Sequence, residues 1–170
     1  MAFINPEEVT DDLPLEDNMS AADFGCGSGG WVVPLAKKLE EGTVYAIDLL
    51  DEPISVLKGK LNREGVANVK TLKENVEDGV SIMNKRVDLV LMTNFLFQLD
   101  DKSKAFKEAK RILRSGGFVF IMEWSPNSPI GPSDLKLKPG AVQNLAEEEG
   151  FALKEEYQFG VHHYGFLYQK

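Results

Sequence analysis

Four glycines within six residues, Gly25, Gly27, Gly29 and Gly30, follow a short apolar run and constrain this chain more than any other stretch. The run from Met19 to Phe24 reads MSAADF, with Asn18 ahead of it, and only Cys26 and Ser28 separate the glycines. Glycine is needed where the backbone must take positive φ or let another group approach closely. An apolar strand that enters such a turn, and then a helix from about Trp31, aims unpaired N–H groups and a partial positive charge into the turn. The stretch reads as a cofactor site, because a plain tight turn does not need four glycines.

At 170 residues, with 43% hydrophobic and 27% charged residues, the chain is expected to be one soluble domain over residues 1–170, with a core that needs no metal or disulfide. A formal net charge of -8 argues against nucleic-acid or anionic-membrane contact, which calls for a basic surface, and favours small or neutral partners. One cysteine excludes an internal disulfide and suits a reducing compartment. No apolar run approaches the roughly 20 residues of a membrane span, and MAFINPEEVTDD lacks the basic and apolar regions of a leader, so the expected location is cytoplasmic. Residues 1–18 are acidic and carry Pro6 and Pro14, which predicts a short helix over Pro6–Asp11 with Asn5 as its cap. The apolar Phe3 and Ile4 leave two readings of this segment open, a loose tail and a lid.

Past the turn, Trp31, Val32, Leu35, Ala36 and Leu39 recur at helical spacing, which predicts a helix ending at Gly42, with Pro34 tolerated in its first turn. Thr43–Ile47 is a second strand closing on Asp48, and Glu52–Arg63 a helix with Ile54, Val56, Leu57 and Leu61 inward, stopped by Gly65. Val69–Leu72 is a short third strand before the acidic turn Glu74–Gly79. The nearly all-apolar Val87–Met92 suits a parallel strand in mid-sheet. Lys102–Arg114 carries one apolar stripe of Ala105, Phe106, Ala109, Ile112 and Leu113, and its Lys104, Lys107, Arg111 and Arg114 read as a solvated face. Ser115-Gly116-Gly117 is expected to turn the chain into a fifth strand, Phe118–Met122, followed by a long loop over Trp124–Pro139 and a helix over Gly140–Glu149. Leu153–Gln158 and His163–Gln169 close the chain as an antiparallel hairpin.

Strands alternating with helices specify an α/β fold: a doubly wound, Rossmann-like sheet of seven strands, mostly parallel, with a C-terminal antiparallel hairpin. Ligands of such sheets bind beyond the carboxyl ends of the strands. There stand Asp23 and the glycines, Asp48, Asn75, Thr93 and Asn94, and Glu123 with Trp124. If the sixth strand is parallel to the first five, the tip Gly160–His163 joins them and brings both histidines to the pocket. Gly25, Gly27 and Gly30 fit the dinucleotide fingerprint, with Asp48 placed for a ribose, while Gly25, Gly27 and Gly29 equally fit the G-x-G-x-G turn used for S-adenosylmethionine. Asp23 tilts the choice to the second, since a carboxylate suits a cationic amino group and repels a pyrophosphate. The closing hairpin tilts it the same way.

ADFGCGSGG (22 to 30), VYAIDLL (44 to 50), VDLVLMTNFLFQLDD (87 to 101), KEAKRILRSGGFVFIMEW (107 to 124) and the final HHYGFLYQK together resemble the class I S-adenosylmethionine-dependent methyltransferases over nearly the whole chain. The chain is most similar to the small-molecule group that includes ubiquinone/menaquinone-biosynthesis and arsenite methyltransferase-like proteins. The resemblance implies S-adenosylmethionine as cofactor, its methionine part held by Asp23 and the Gly25, Cys26, Gly27 and Gly29 turn. It also implies that Asp48 takes the ribose hydroxyls, that Leu49 packs on the adenine, and that Asn75, with Val76 beside it, receives the adenine edge where the family often has aspartate. Thr93 and Asn94 then lie beside the sulfonium, where a small-molecule methyl acceptor enters. Arsenite methyltransferases rely on several cysteines and this chain has only Cys26, so arsenic chemistry is not expected, nor is a metal site.

Methyl transfer is an in-line displacement that depends on holding the acceptor in line, with a base only where the acceptor carries a proton. His163, with Tyr164 nearby, is the candidate base, because alternation along the last strand sends His162 and His163 to opposite sides. A structural role for both histidines stays open. Cys26 reads as a small residue that fits the turn, Asp88 as a structural carboxylate, and Trp124 and Phe95 as an aromatic wall, with Phe97 in the core. Two other functions remain at this stage, a nicotinamide-dependent oxidoreductase and a non-catalytic S-adenosylmethionine-binding module. The latter draws on the short N-terminus, which leaves little material for a substrate cover. A homodimer could complete the site.

Overall fold

The computed structural model describes residues 4–170. Aliphatic and β-branched runs form the strands β1 (Ala21–Phe24), β2 (Val44–Asp48), β3 (Val69–Lys73), β4 (Val87–Thr93), β5 (Leu113–Trp124), β6 (Ala152–Phe159) and β7 (His163–Gln169). The described residues build one seven-stranded sheet ordered β3-β2-β1-β4-β5-β7-β6. β1 to β5 are parallel, and β7 runs antiparallel to both β5 and β6. The expected doubly wound sheet with its closing hairpin is therefore present. β4 lies in the middle, and its side chains are buried apart from the half-buried Asp88.

Alternation along β4 divides the core between two layers. Val90 and Met92 face α4 (Lys102–Ile112) and α5 (Pro139–Glu148). Leu89 and Leu91 face the layer of α1 (Pro6–Asp12), α2 (Val32–Lys38) and α3 (Asp51–Glu64). Each fully buried leucine contributes about 1.5–3 kcal/mol relative to an exposed one. The sequence order reverses between β1 and β4, which opens a crevice at their carboxyl ends.

Several local expectations change in tertiary context. α2 stops at Lys38 instead of running to Gly42. The Asn68 side chain donates to the carbonyls of Ala36 and Leu39 at 3.0 and 2.8 Å, satisfying the helix end early. Gly42 lies flat on the Met19 carbonyl, leaving no room for a Cβ as the chain enters β2. Val56 is 55% exposed rather than inward, because it stands two residues, about 200°, from Ile54 around α3. α3 does end at Gly65, whose φ of 68° is left-handed. α4 ends at Ile112, and Leu113 already belongs to β5. The expected Ser115-Gly116-Gly117 turn is an irregularity inside that strand, where pairing jumps from Val87↔Leu113 to Leu89↔Phe118.

The basic stripe of α4 is also broken. Arg114 leaves the helix and binds both oxygens of Asp88 at 3.0 Å, and Arg111 binds Glu108 and the carbonyls of Val80 and Ile82. Asp88 also accepts the Ser20 N–H, which makes it the structural carboxylate expected. Asn5 caps α1 as predicted, and Val9 and Leu13 bury against α2, with Ile4 packed beside them. The described part of the N-terminal segment is thus docked and is no loose tail; Phe3 lies outside the described residues.

Candidate active site

The end of β1 is tied to β2 before it turns: Gly25 N–H and Cys26 N–H both donate to the Ile47 carbonyl, at 2.9 and 2.8 Å. Gly25, Gly27 and Gly29 take φ of 72°, 51° and 84°, and each meets different surroundings. A Cβ at Gly25 would stand 2.3 Å from the Phe95 ring, and one at Gly29 would stand 2.4 Å from Leu57. A Cβ at Gly27 would meet nothing within 4 Å, because the backbone there borders open space. Gly30 has neither positive φ nor a close neighbour, so the spacing that the backbone requires is G-x-G-x-G rather than the dinucleotide spacing.

The open space is a cavity of about 520 Å³ at the carboxyl ends of the first four strands. Gly25 and Gly27 line it from β1, Asp48, Leu49 and Leu50 from β2, Asn75 and Val76 from β3, and Phe95, Gln98 and Leu99 from β4. The volume is that of an ordinary small-molecule site. Asp48 Oδ2 accepts the Gly27 N–H at 2.9 Å and Oδ1 the Leu50 N–H at 3.0 Å, which orients the carboxylate and leaves each oxygen a further lone pair. Leu49 and Leu50 stand 58% and 60% exposed at the rim, a large apolar surface without a protein partner. Asn75 Oδ1 accepts from the Glu77 N–H at 3.1 Å and so caps the 3-10 turn Val76–Asp78.

Other expected site residues lie outside this lining. Asp23 is buried in β1, 1% exposed, with its Oδ1 unpartnered. Burial, and then the charge of Asp48, push its carboxyl up to about 8. Cys26 is buried and its thiol is pushed up by burial and by Asp23 and Asp48, which suits a small structural residue and no nucleophile. Gly29 packs on Leu57. Thr93 is buried at the end of β4, and Asn94 follows at φ 50° with Oδ1 unpartnered.

The hairpin tip does reach the same edge, since His163 pairs with Trp124 across β5 and β7. Neither histidine enters the cavity, however. His163 stacks on Trp124 with ring centroids 4.1 Å apart and its Nε2 unpartnered, and burial followed by His162 pushes it down to about 4. His162 Nδ1 pairs with Ser128 Oγ at 3.0 Å in the loop after β5. Tyr164 points to the opposite face of β7 and donates to the Leu137 carbonyl at 2.9 Å, so its hydroxyl is engaged in a structural bond rather than free beside His163. Phe95 is a wall of the cavity as expected while also packing edge-on to Phe24 at 6.2 Å, whereas Phe97 is half-buried rather than core.

Two arrangements near the end of β5 go beyond what the sequence shows, although Glu123 itself was expected on this edge. Glu123, 1% exposed, accepts the N–H groups of Phe95 and Leu96 at 2.9 and 2.6 Å, and burial pushes it up to about 7 against these donors. Its signal was an acid inside the aliphatic run IMEW. On the α2 side, Phe120 contacts Trp31, Tyr157 and Phe159 at ring separations of 5.8, 5.6 and 6.4 Å. Among the described residues, no helix is long and apolar enough to cross a membrane.

Residues 22–121 match the family model described as a methyltransferase domain. The demethylmenaquinone methyltransferase of Lactiplantibacillus plantarum is 29% identical over 120 residues, covering 69% of this chain and 51% of that protein. That of Staphylococcus aureus is 29% identical over 155 residues, covering 90% of this chain and 63% of that protein. The chain thus spans between half and two-thirds of the length of these curated relatives. A solved structure described as a SAM dependent methyltransferase, from Aquifex aeolicus, superposes with a TM-score of 0.90 at 26% identity, covering 97% of this chain and 89% of that one.

Proposed function

This chain belongs to the methyltransferase domain family, and we propose that it binds S-adenosylmethionine in the crevice and transfers its methyl group to a small apolar acceptor. The observation that carries this reading is Gly27, left-handed, bonded to Asp48 and facing open cavity where any side chain would stand. The surrounding residues fit the cofactor's parts. The unpartnered Asp23 oxygen suits an ammonium, and the free lone pairs of Asp48 suit ribose hydroxyls. Leu49 and Leu50 suit an adenine face, and Asn75 with Val76 its edge. Among the described residues, the carboxylates Asp48, Glu74, Glu77 and Asp100 line the cavity, and their charge weighs against the pyrophosphate of a nicotinamide dinucleotide.

When bound, S-adenosylmethionine supplies a methyl group on a positively charged sulfur. The chain's own part is to orient and to exclude water. Thr93, buried at the end of β4, and the half-buried Asn94 after it border the acceptor side, and the unpartnered Asn94 Oδ1 can accept a hydrogen bond from the incoming molecule. His163, its ring tilted 35° against that of Trp124, is neutral at pH 7 and offers Nε2 as a proton acceptor where the incoming molecule carries a proton. The half-buried Trp124, in contact with the His163 ring at the end of β5, favours a ring-bearing, apolar acceptor. Demethylmenaquinone, named in the relatives, is of that class.

Isothermal titration with S-adenosylhomocysteine and with NAD tests the cofactor assignment. Micromolar binding of the thioether and none of NAD is expected; the reverse result overturns it. Transfer of labelled methyl to quinol and phenol acceptors then tests the activity.

A further inference from the structure

The connection from β4 to α4 forms one wall of the cavity, and its backbone leaves β4 through Asn94 in a left-handed conformation, which asparagine tolerates better than other non-glycine residues but which still needs fixing by its surroundings. Something must hold that turn. The end of β5 does so with consecutive acceptors: the Met122 carbonyl takes the Asn94 N–H at 2.7 Å, and Glu123 Oε1 takes those of Phe95 and Leu96 at 2.9 and 2.6 Å. Successive N–H groups converging in this way form a concavity for negative charge, and Glu123 fills it from within the protein.

We propose that Glu123 is a positioning residue that acts through Phe95, fixing the β4-side wall of the cofactor cavity against the glycine turn. The Phe95 ring packs directly over Gly25, where a Cβ would stand 2.3 Å away, so displacement of the Phe95 backbone moves the wall against the turn. Gln98 and Leu99, further along, also line the cavity, and Gln98 donates back to the Asn94 carbonyl at 2.8 Å. A carboxylate serves better here than an amide, because it only accepts and brings no N–H that would itself need a buried partner. The charged and titratable groups facing it are Lys102 from α4, which pulls its proton affinity down, and Tyr164, its cross-strand neighbour on β7. Against these, burial holds the carboxyl up to about 7. The ligand consequence rests on the proposed cofactor reading; the hold on the wall does not.

The test is a pH titration of the Phe95 and Leu96 amide resonances between pH 5.5 and 8.5, in the full chain and in Glu123→Gln. This variant is near-isosteric and keeps one acceptor oxygen. In the wild type both resonances should shift together with a midpoint near 7, and the shift should vanish in Glu123→Gln but persist in Asp23→Asn. Glu123→Gln should also exchange these two amides faster and bind S-adenosylhomocysteine about tenfold more weakly. Unchanged exchange of the two amides in Glu123→Gln overturns the proposal, as does unchanged thioether affinity in that variant. A wild type that binds no thioether but shows the paired titration and the faster exchange in the variant refutes the cofactor reading while leaving the positioning role standing.

Discussion

Asp48 Oδ2 accepts the Gly27 N–H at 2.9 Å, so the last residue of β2 holds the middle of the turn that follows β1. Its other oxygen accepts the Leu50 N–H at 3.0 Å, fixing the rim beside it. Asp48→Ala releases both ends. Hydrogen bonds to a charged group contribute about 1.5–3 kcal/mol each, so S-adenosylhomocysteine affinity is expected to fall roughly 10- to 100-fold. Calorimetric titration measures this directly, and an unchanged affinity contradicts the placement of Asp48 in the site.

Gly25 and Gly27 share a left-handed backbone and differ in what lies before them. Gly27→Ala carries the left-handed penalty of about 1–2 kcal/mol but meets open space, so the melting temperature should fall by only a few degrees. Its methyl group enters the cavity, and thioether binding should be lost. Gly25→Ala adds a clash with the Phe95 ring that costs about 1–3 kcal/mol more, and its melting temperature should fall well below that of Gly27→Ala. Thermal unfolding with and without ligand separates the two. A ligand-induced rise that survives in Gly27→Ala sinks the cavity assignment.

The sheet and half of the site were legible because local chemistry decides them. Glycines at 25, 27 and 29, acids at the strand ends, and a hairpin spacing before His163 place the crevice without knowledge of packing. The end of α2 is not visible in its own sequence, because its cap, Asn68, comes from beyond α3. Ser115-Gly116-Gly117 reads as a turn by composition, and only pairing of β5 with β4 makes it an irregularity within a strand. The acceptor side was harder still. Glu123 finds its partners 28 and 27 residues earlier, and the stacking of His163 on Trp124 follows from strand register, which periodicity does not supply.

Asp23 makes stability and binding depend on pH in opposite ways. Its carboxyl is pushed from 3.8 up to about 8, chiefly by burial, so between these values the folded state keeps a proton that the unfolded chain has lost. Stability from this group is therefore full below about pH 4 and is lost as pH rises through 8. Asp23→Asn stays neutral, and its melting temperature should exceed the wild type's at pH 8, with the gap closing toward pH 4. A ligand ammonium favours the ionised carboxylate, so thioether binding at pH 7 should release close to one proton in the wild type and none from this position in the variant. Titration in buffers of different ionisation enthalpy reads that number, and equal proton counts in both proteins would falsify the link.

His163 titrates the other way. Burial, followed by His162, pushes its imidazole from 6.5 down to about 4, and its unpartnered Nε2 is therefore a neutral acceptor across the working range. The folded state refuses a proton that the unfolded chain takes up below pH 6.5, so stability should decline as pH falls from about 6.5 toward 4. His163→Phe keeps a ring to stack on Trp124 and removes this decline, so the variant should lose less melting temperature than the wild type between pH 7 and 5. If Nε2 takes the acceptor's proton, the variant should also lose about 10²- to 10⁴-fold in kcat, with thioether affinity within twofold of the wild type. The wild-type rate should show no step near pH 6.5 from this residue. A histidine Cε1–H titration gives the midpoint itself, and a value near 6.5 for His163 would place its ring in solvent and remove it from this role.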